Sequence, residues 1–98
     1  MRVTFGSNQL SQRYQSLAEA TRAWGPNVGK RYIMRVKLLR AAPGLHAIGE
    51  FHNLRLHPLH GMREGQWAIA LDERWRLVFR VTGPDQVQIE EVSNHYDD

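Results

Sequence analysis

The sequence predicts an α+β domain: a short first strand, an antiparallel helical hairpin, then an antiparallel β-meander packed on the helices. Three observations predict it. Apolar residues recur at helical spacing from Leu10 to Leu39. From Leu54 onward the apolar period drops to two. Between these regimes Gly25–Pro26 and Pro43–Gly44 punctuate the chain, as helix ends require. Ninety-eight residues leave room for one core, so residues 1–98 are read as a single domain.

The elements follow in order. "RVTF" (2–5) reads as a strand with Val3 and Phe5 on one side. Leu10, Tyr14, Leu17, Thr21 and Trp24 form one stripe of a helix that Ser7 or Asn8 caps and Gly25–Pro26 ends. A second helix runs from near Asn27 to about Arg40. Tyr32, Ile33, Val36 and Leu39 are available to its core side, and Lys30, Arg31, Arg35, Lys37 and Arg40 lie on the other. The short joint makes the two an antiparallel hairpin.

After an irregular stretch, "LRLHP" (54–58), "QWAIAL" (66–71), "RWRLVFRV" (74–81) and "QVQIEEV" (86–92) read as strands, with tight turns at Asp72–Glu73 and at "TGPD". In the last strand Val92 is out of phase with Ile89, so a bulge is expected after Glu90–Glu91.

Composition narrows the function classes. The chain has no cysteine, so disulfides, thiolate metal sites and cysteine nucleophiles are excluded. The longest apolar run, "WAIAL", is far too short to span a membrane, and the first ten residues lack the apolar core of a secretory signal. A cytoplasmic location without membrane contact is expected. The net charge of +3 hides an asymmetry. Residues 1–80 carry all thirteen Lys and Arg against five acids, a net +8, whereas residues 81–98 carry five acids and no Lys or Arg. A basic body of that size points to an anionic partner such as nucleic acid.

Strand parity sorts the charges. If the helices cover Trp67, Trp75 and Phe79, the opposite face displays Arg55, His57, Arg74, Arg76 and Arg80. Arginine suits phosphate because its planar fork donates in pairs and is always charged. An imidazole beside arginines can act as general acid or base, since its ordinary pKa of about 6.5 allows both forms. His57 and His60, in "HPLHG", lack the i, i+4 spacing of a helical metal pair, and no acid stands at ligand spacing. Neither a metal nor another cofactor is expected. Phosphate-loop and serine-elbow motifs are absent.

The stretch from Leu54 to Val81 is the specific part. Leu56, His57, Pro58, Leu59 and Gly61, then Gly65 and Trp67, then Trp75, Arg76, Phe79 and Arg80 resemble the signature of HigB-type toxins of the RelE/ParE superfamily. That resemblance implies a RelE-like fold and a type II toxin–antitoxin toxin. It further implies a metal-independent endoribonuclease that cuts messenger RNA on the ribosome, by attack of a ribose 2′-hydroxyl on the adjacent phosphate. The implied partners are the ribosome and its mRNA and a helix-turn-helix antitoxin of the HigA kind, with operator DNA reached only through the antitoxin complex.

Carried over residue by residue, the resemblance assigns catalysis to His57, Arg76, His95 and Tyr96. Arg55, His60, Arg74 and Arg80 are expected on the RNA. Two positions depart from the pattern: His60 stands where the family has lysine, and Asn94–His95–Tyr96 stands where it commonly has Asp-Tyr-His. Two alternatives remain open at this level. One is a toxin of the same superfamily that inhibits a protein target such as gyrase. The other is an inactive module that binds only antitoxin or nucleic acid.

Overall fold

Alternation along the β-meander and the 3.6-residue stripe of one long helix meet in a single core, and the architecture follows from that meeting. The computed structural model describes residues 1–94. The elements are β1 (Arg2–Phe5), α1 (Asn8–Gln15), α2 (Leu17–Trp24), α3 (Pro26–Ala41), α4 (Leu45–Gly49), β2 (His57–Pro58), β3 (Gln66–Ala70), β4 (Arg76–Gly83) and β5 (Gln86–Ser93). The five strands form one sheet in the order β1-β5-β4-β3-β2, with β1 parallel to β5 and the other neighbours antiparallel. The α+β fold expected from the sequence is the one observed.

Tyr32, Val36 and Leu39 of α3 lie fully buried in one cluster with Ile69, Leu77, Phe79, Val87 and Ile89 of the sheet. Tyr32 is the largest of the fully buried side chains. Its hydroxyl donates to the Leu10 carbonyl at 2.7 Å, so this buried phenol is satisfied, and its ring meets Trp24 edge-on at 4.8 Å. Burial pushes the Tyr32 phenol far above its usual pKa and keeps it a neutral donor. At the other end of α3, the Met1 amino group donates to the carbonyls of Leu39 and Arg40. It thereby satisfies two orphan acceptors of the helix end and ties β1 to α3.

The first helix differs from its expectation. It breaks at Ser16, whose backbone is extended and whose hydroxyl accepts from the Glu19 amide at 3.2 Å, capping α2 anew. Ser16-Leu-Ala-Glu19 is a capping signature inside the apolar stripe, and the local cap prevailed over the continuous period. The break rotates Leu17 out to solvent, 54% exposed, and turns Ala20 fully inward. Ala20 then lies against Gly29 of α3, where a Cβ would come within 2.8 Å of the Ala20 carbonyl carbon. The hairpin joint behaves as expected: Gly25, at φ 86°, donates its N–H to Thr21 and hands over to Pro26 at the first position of α3.

In "LRLHP" only His57–Pro58 pairs as a strand. Leu54 closes a 3₁₀ turn (His52–Leu54), and Arg55 follows in the left-handed region at φ 53°. Arg74 and Trp75 likewise precede β4 rather than starting it, because the Asp72 carboxylate accepts from both of their amides, at 2.8 and 2.7 Å, and holds the turn.

A bulge is present, at Glu90 itself rather than after Glu90–Glu91. Val78 pairs with Glu91 and Phe79 with Ile89, leaving Glu90 as the extra residue. Beyond it Val92 returns to the core with Leu77, and Glu91 and Ser93 share the outer face with Val78 and Arg76. Glu90 accepts from Gln88 at 2.9 Å and from Arg80 at 3.4 Å. The Gln88 amide foremost, with Arg80 and Gln66 beside it, holds the Glu90 carboxyl below the usual glutamate range against the opposing effect of its own burial.

Two measurements test these contacts. Gly29→Val forces a branched side chain into backbone atoms of α2. Overpacking of that kind is expected to cost about 1–3 kcal/mol, read as a lowered urea midpoint with an unchanged slope. Because the folded Glu90 pKa is depressed, its contribution to stability is present above the unfolded glutamate value and is lost as pH falls through the folded value. Melting curves of Glu90→Gln should therefore decline less steeply than those of the wild type on acidification below about pH 5.

Candidate active site on the sheet face

Parity along β3 and β4 sends Ala68, Ala70, Arg76, Val78 and Arg80 to the face away from the helices. That face is not an open arginine surface. Leu59 continues the β2–β3 register at the start of the 60–65 loop, its amide donating to the Gln66 carbonyl, and Leu59, Ala68 and Val78 make a small buried cluster there. Gly61 and Gly65, at φ 67° and 94°, shape this loop. A Cβ at Gly65 would lie 2.7 Å from the Arg80 Nη1, so the glycine of the G-x-W motif is the seat for that guanidinium.

The acids are also closer than parity suggested. With the bulge, Glu90 pairs with Arg80 and Glu91 with Arg63, so the far end of this face is a balanced ion-pair network. Arg80, placed on RNA by the sequence reading, is engaged here with Glu90. His60 is exposed at the start of the 3₁₀ turn Gly61–Arg63, and Arg74 is exposed in the β3–β4 turn; neither joins the inner group.

The inner group is His57 and Arg76. His57 pairs with Ala68, which pairs with Val78, so all three stand in one row on this face; Arg76 occupies the next row, opposite Ala70 and Ser93. The His57 Nδ1 lies 2.7 Å from the Arg55 carbonyl, an acceptor only. Nδ1 therefore carries the proton in the neutral ring, and Nε2 keeps the lone pair. Arg76 is 7% exposed, and its Nη1 donates to the carbonyls of Asp72 at 3.0 Å, Trp75 at 3.1 Å and Glu73 at 3.4 Å. A guanidinium gripped on one nitrogen by three carbonyls has its plane fixed before any anion arrives. His95 and Tyr96 lie outside the described residues; Ser93, the last residue of β5, pairs opposite Arg76.

Arg55 departs from its expected place. Its left-handed backbone takes it off the sheet face and into a cleft of about 440 Å³ shared with Arg31 and Arg35 of α3 and with Asn53, Asp72 and Glu73. The Arg31 Nη1 donates to the Leu71 carbonyl at 3.1 Å and the Arg35 Nε to the Ala70 carbonyl at 3.2 Å. Burial, and then the neighbouring Arg31, lower the Arg35 pKa. From the sequence, Arg31 and Arg35 are expected only on the helix face opposite the core side. Their i, i+4 spacing shows that they stand together, but not that the β3–β4 turn lies against them. Among the described residues, no group of three His, Asp or Glu side chains is arranged to hold a metal ion, and no helix is long and apolar enough to cross a membrane.

No family model and no curated protein matches the chain by sequence. Solved structures match it over nearly its full length. A YoeB/ParE toxin from Agrobacterium tumefaciens superimposes with a TM-score of 0.63 at 17% identity, covering 98% of this chain and 100% of that one. YoeB in the YoeB–YefM complex from Staphylococcus aureus gives 0.62 at 18% identity, with 98% of each chain covered. YafQ from E. coli BL21(DE3) gives 0.60 at 17% identity, covering 96% of this chain and 93% of that one. At these identities the likeness is one of backbone architecture. The chain has the α+β fold of the YoeB and YafQ toxins.

Proposed function

We propose that the protein is a type II toxin of the RelE/ParE superfamily, of the HigB kind by its sequence motif, that cuts messenger RNA on the ribosome without a metal. The observation that carries the reading is the presence of two prepared groups on one sheet face: a histidine whose Nδ1 is held by the Arg55 carbonyl, and a buried arginine held by backbone carbonyls. The full-length likeness to toxin structures supports it.

The chemistry follows from those groups. The 2′-oxygen bonds to the adjacent phosphorus and the bond from phosphorus to the 5′-oxygen breaks. The upstream fragment is left with a cyclic phosphate and the downstream fragment with a 5′-hydroxyl. His57 Nε2 takes the 2′ proton, Arg76 meets the charge that builds on the phosphorane, and His95 or Tyr96 returns a proton to the leaving oxygen. DNA lacks the nucleophile and is not cut. The protein acts in the cytoplasm, where its ribosomal substrate is found. It is restrained by a helix-turn-helix antitoxin of the HigA kind, through which alone it reaches operator DNA. The similar structures include a YoeB–YefM toxin–antitoxin complex from Staphylococcus aureus, which supports an antitoxin as partner.

Incubation with translating ribosomes, followed by mapping of message ends, tests the proposal. The wild type should cut within translated message. His57→Ala should lower the rate about 10²–10⁴-fold and Arg76→Lys about 10²–10³-fold, with both variants checked for cooperative melting. Intact message under the wild type, or full activity in a folded His57→Ala, overturns the reading. Inhibition of gyrase supercoiling with message intact would assign the fold to a protein target instead.

A further inference from the structure

We propose that the cleft between α3 and the β3–β4 turn is a second phosphate subsite, taking a phosphodiester of single-stranded RNA beside the one that is cut. The inference rests on the RNA-cleaving reading and extends its substrate track from the sheet face onto the helix. Three guanidinium groups, Arg31, Arg35 and Arg55, line a cleft of about 440 Å³, a volume that admits a nucleotide phosphate and its ribose.

None of the three forms an ion pair among the described residues, in contrast to Arg22, Arg63 and Arg80, which each have a glutamate. Two carboxylates share the cleft, but one oxygen of Asp72 is held by the amides of Arg74 and Trp75, and Glu73 is exposed. Arg31 and Arg35 each spend a donor on a β-strand-end carbonyl, which aims their forks without neutralising them. Like charges one helical turn apart, one of them partly buried, repel each other, and a bound phosphate removes that repulsion while accepting paired hydrogen bonds.

The cleft also adjoins the reacting site. Asp72, on its wall, supplies a carbonyl that grips Arg76, and Arg55, on its other wall, supplies the carbonyl that orients His57. A strand whose scissile phosphate meets Arg76 thus has a cationic cleft immediately alongside. Asn53, on the same wall, has a side-chain amide that can donate to a phosphate oxygen or a ribose hydroxyl.

The test uses fluorescence anisotropy with a single-stranded oligonucleotide carrying 2′-O-methyl groups, which binds but cannot be cut. The variant to read is Arg55→Gln, because Arg55 is exposed and its hydrogen bonds to His57 and His52 are made by its backbone. Arg31→Gln is measured alongside it, and Arg22→Gln, outside the cleft, is the charge control. Arg55→Gln and Arg31→Gln should weaken binding severalfold and reduce the slope of log affinity against log salt by about 0.7 each, the value for one lost single-strand phosphate contact. Arg22→Gln should leave the slope at the wild-type value. Unchanged slopes in both cleft variants, an equal loss in the control, or no binding by the wild type at low salt overturns the subsite. Ribosomal cleavage by the same proteins separates the two claims. Altered slopes with no cleavage by the wild type leave the subsite standing without the nuclease. Normal cleavage with unaltered slopes does the reverse.

Discussion

The β3–β4 turn depends on borrowed donors, and much of the molecule is arranged around supplying them. A tight connection between two central strands leaves carbonyls that no ladder partner reaches, and buried acceptors of that kind must be paired. Here guanidinium groups pair them: Arg35 on Ala70, Arg31 on Leu71, and Arg76 on Asp72 and Glu73, while Trp75, also bonded by Arg76, already accepts from the Leu71 amide. Two of these arginines come from α3 and one from the first residue of β4, so the same bonds fasten the helix to the sheet end and fix the proposed phosphate-binding arginine. Structural and chemical roles coincide in one set of hydrogen bonds.

The bulge at Glu90 is the second constraint. Without it, alternation from Val87 and Ile89 would carry Val92 and its neighbours to the wrong sides of the sheet. One extra residue restores Val92 to the core and turns Glu91 and Ser93 to the face of Arg76 and Val78. It also gives Arg80 its carboxylate. Charge on this face is therefore graded: balanced at the Arg80 and Arg63 end, and unbalanced towards Arg76 and the cleft.

The fold was legible in the sequence because its signals are local and mutually consistent. Gly25–Pro26 ended one helix and began another, the period-two runs found β3, β4 and β5, and the phase slip at Val92 announced the bulge. The break at Ser16 was legible too, in its capping signature, but the apolar stripe running across it masked the cap. The site was legible only in part. His57 and Arg76 follow from strand parity, whereas Arg55 leaves the sheet through a left-handed backbone that no periodicity reports, and Arg74 is captured by the Asp72 turn. The partnership of Arg31 and Arg35 with that turn is a tertiary contact across some forty residues, invisible to spacing along one helix. The reach of Arg63 across to Glu91 depends on the loop that Gly61 and Gly65 shape, which again is geometry rather than pattern.

If a prepared histidine and a fixed arginine act on a ribose-linked phosphate with no metal, the bond they break is decided by the RNA's own 2′-oxygen. The ends of the fragments report that most directly. Message recovered from translating ribosomes treated with the protein should carry 2′,3′-cyclic phosphate or its opened 3′-phosphate on the upstream fragment and a free 5′-hydroxyl on the downstream one. Fragments with 5′-phosphate and 3′-hydroxyl ends would mean that water, not the ribose, is the nucleophile, and would contradict the roles given to His57 and Arg76.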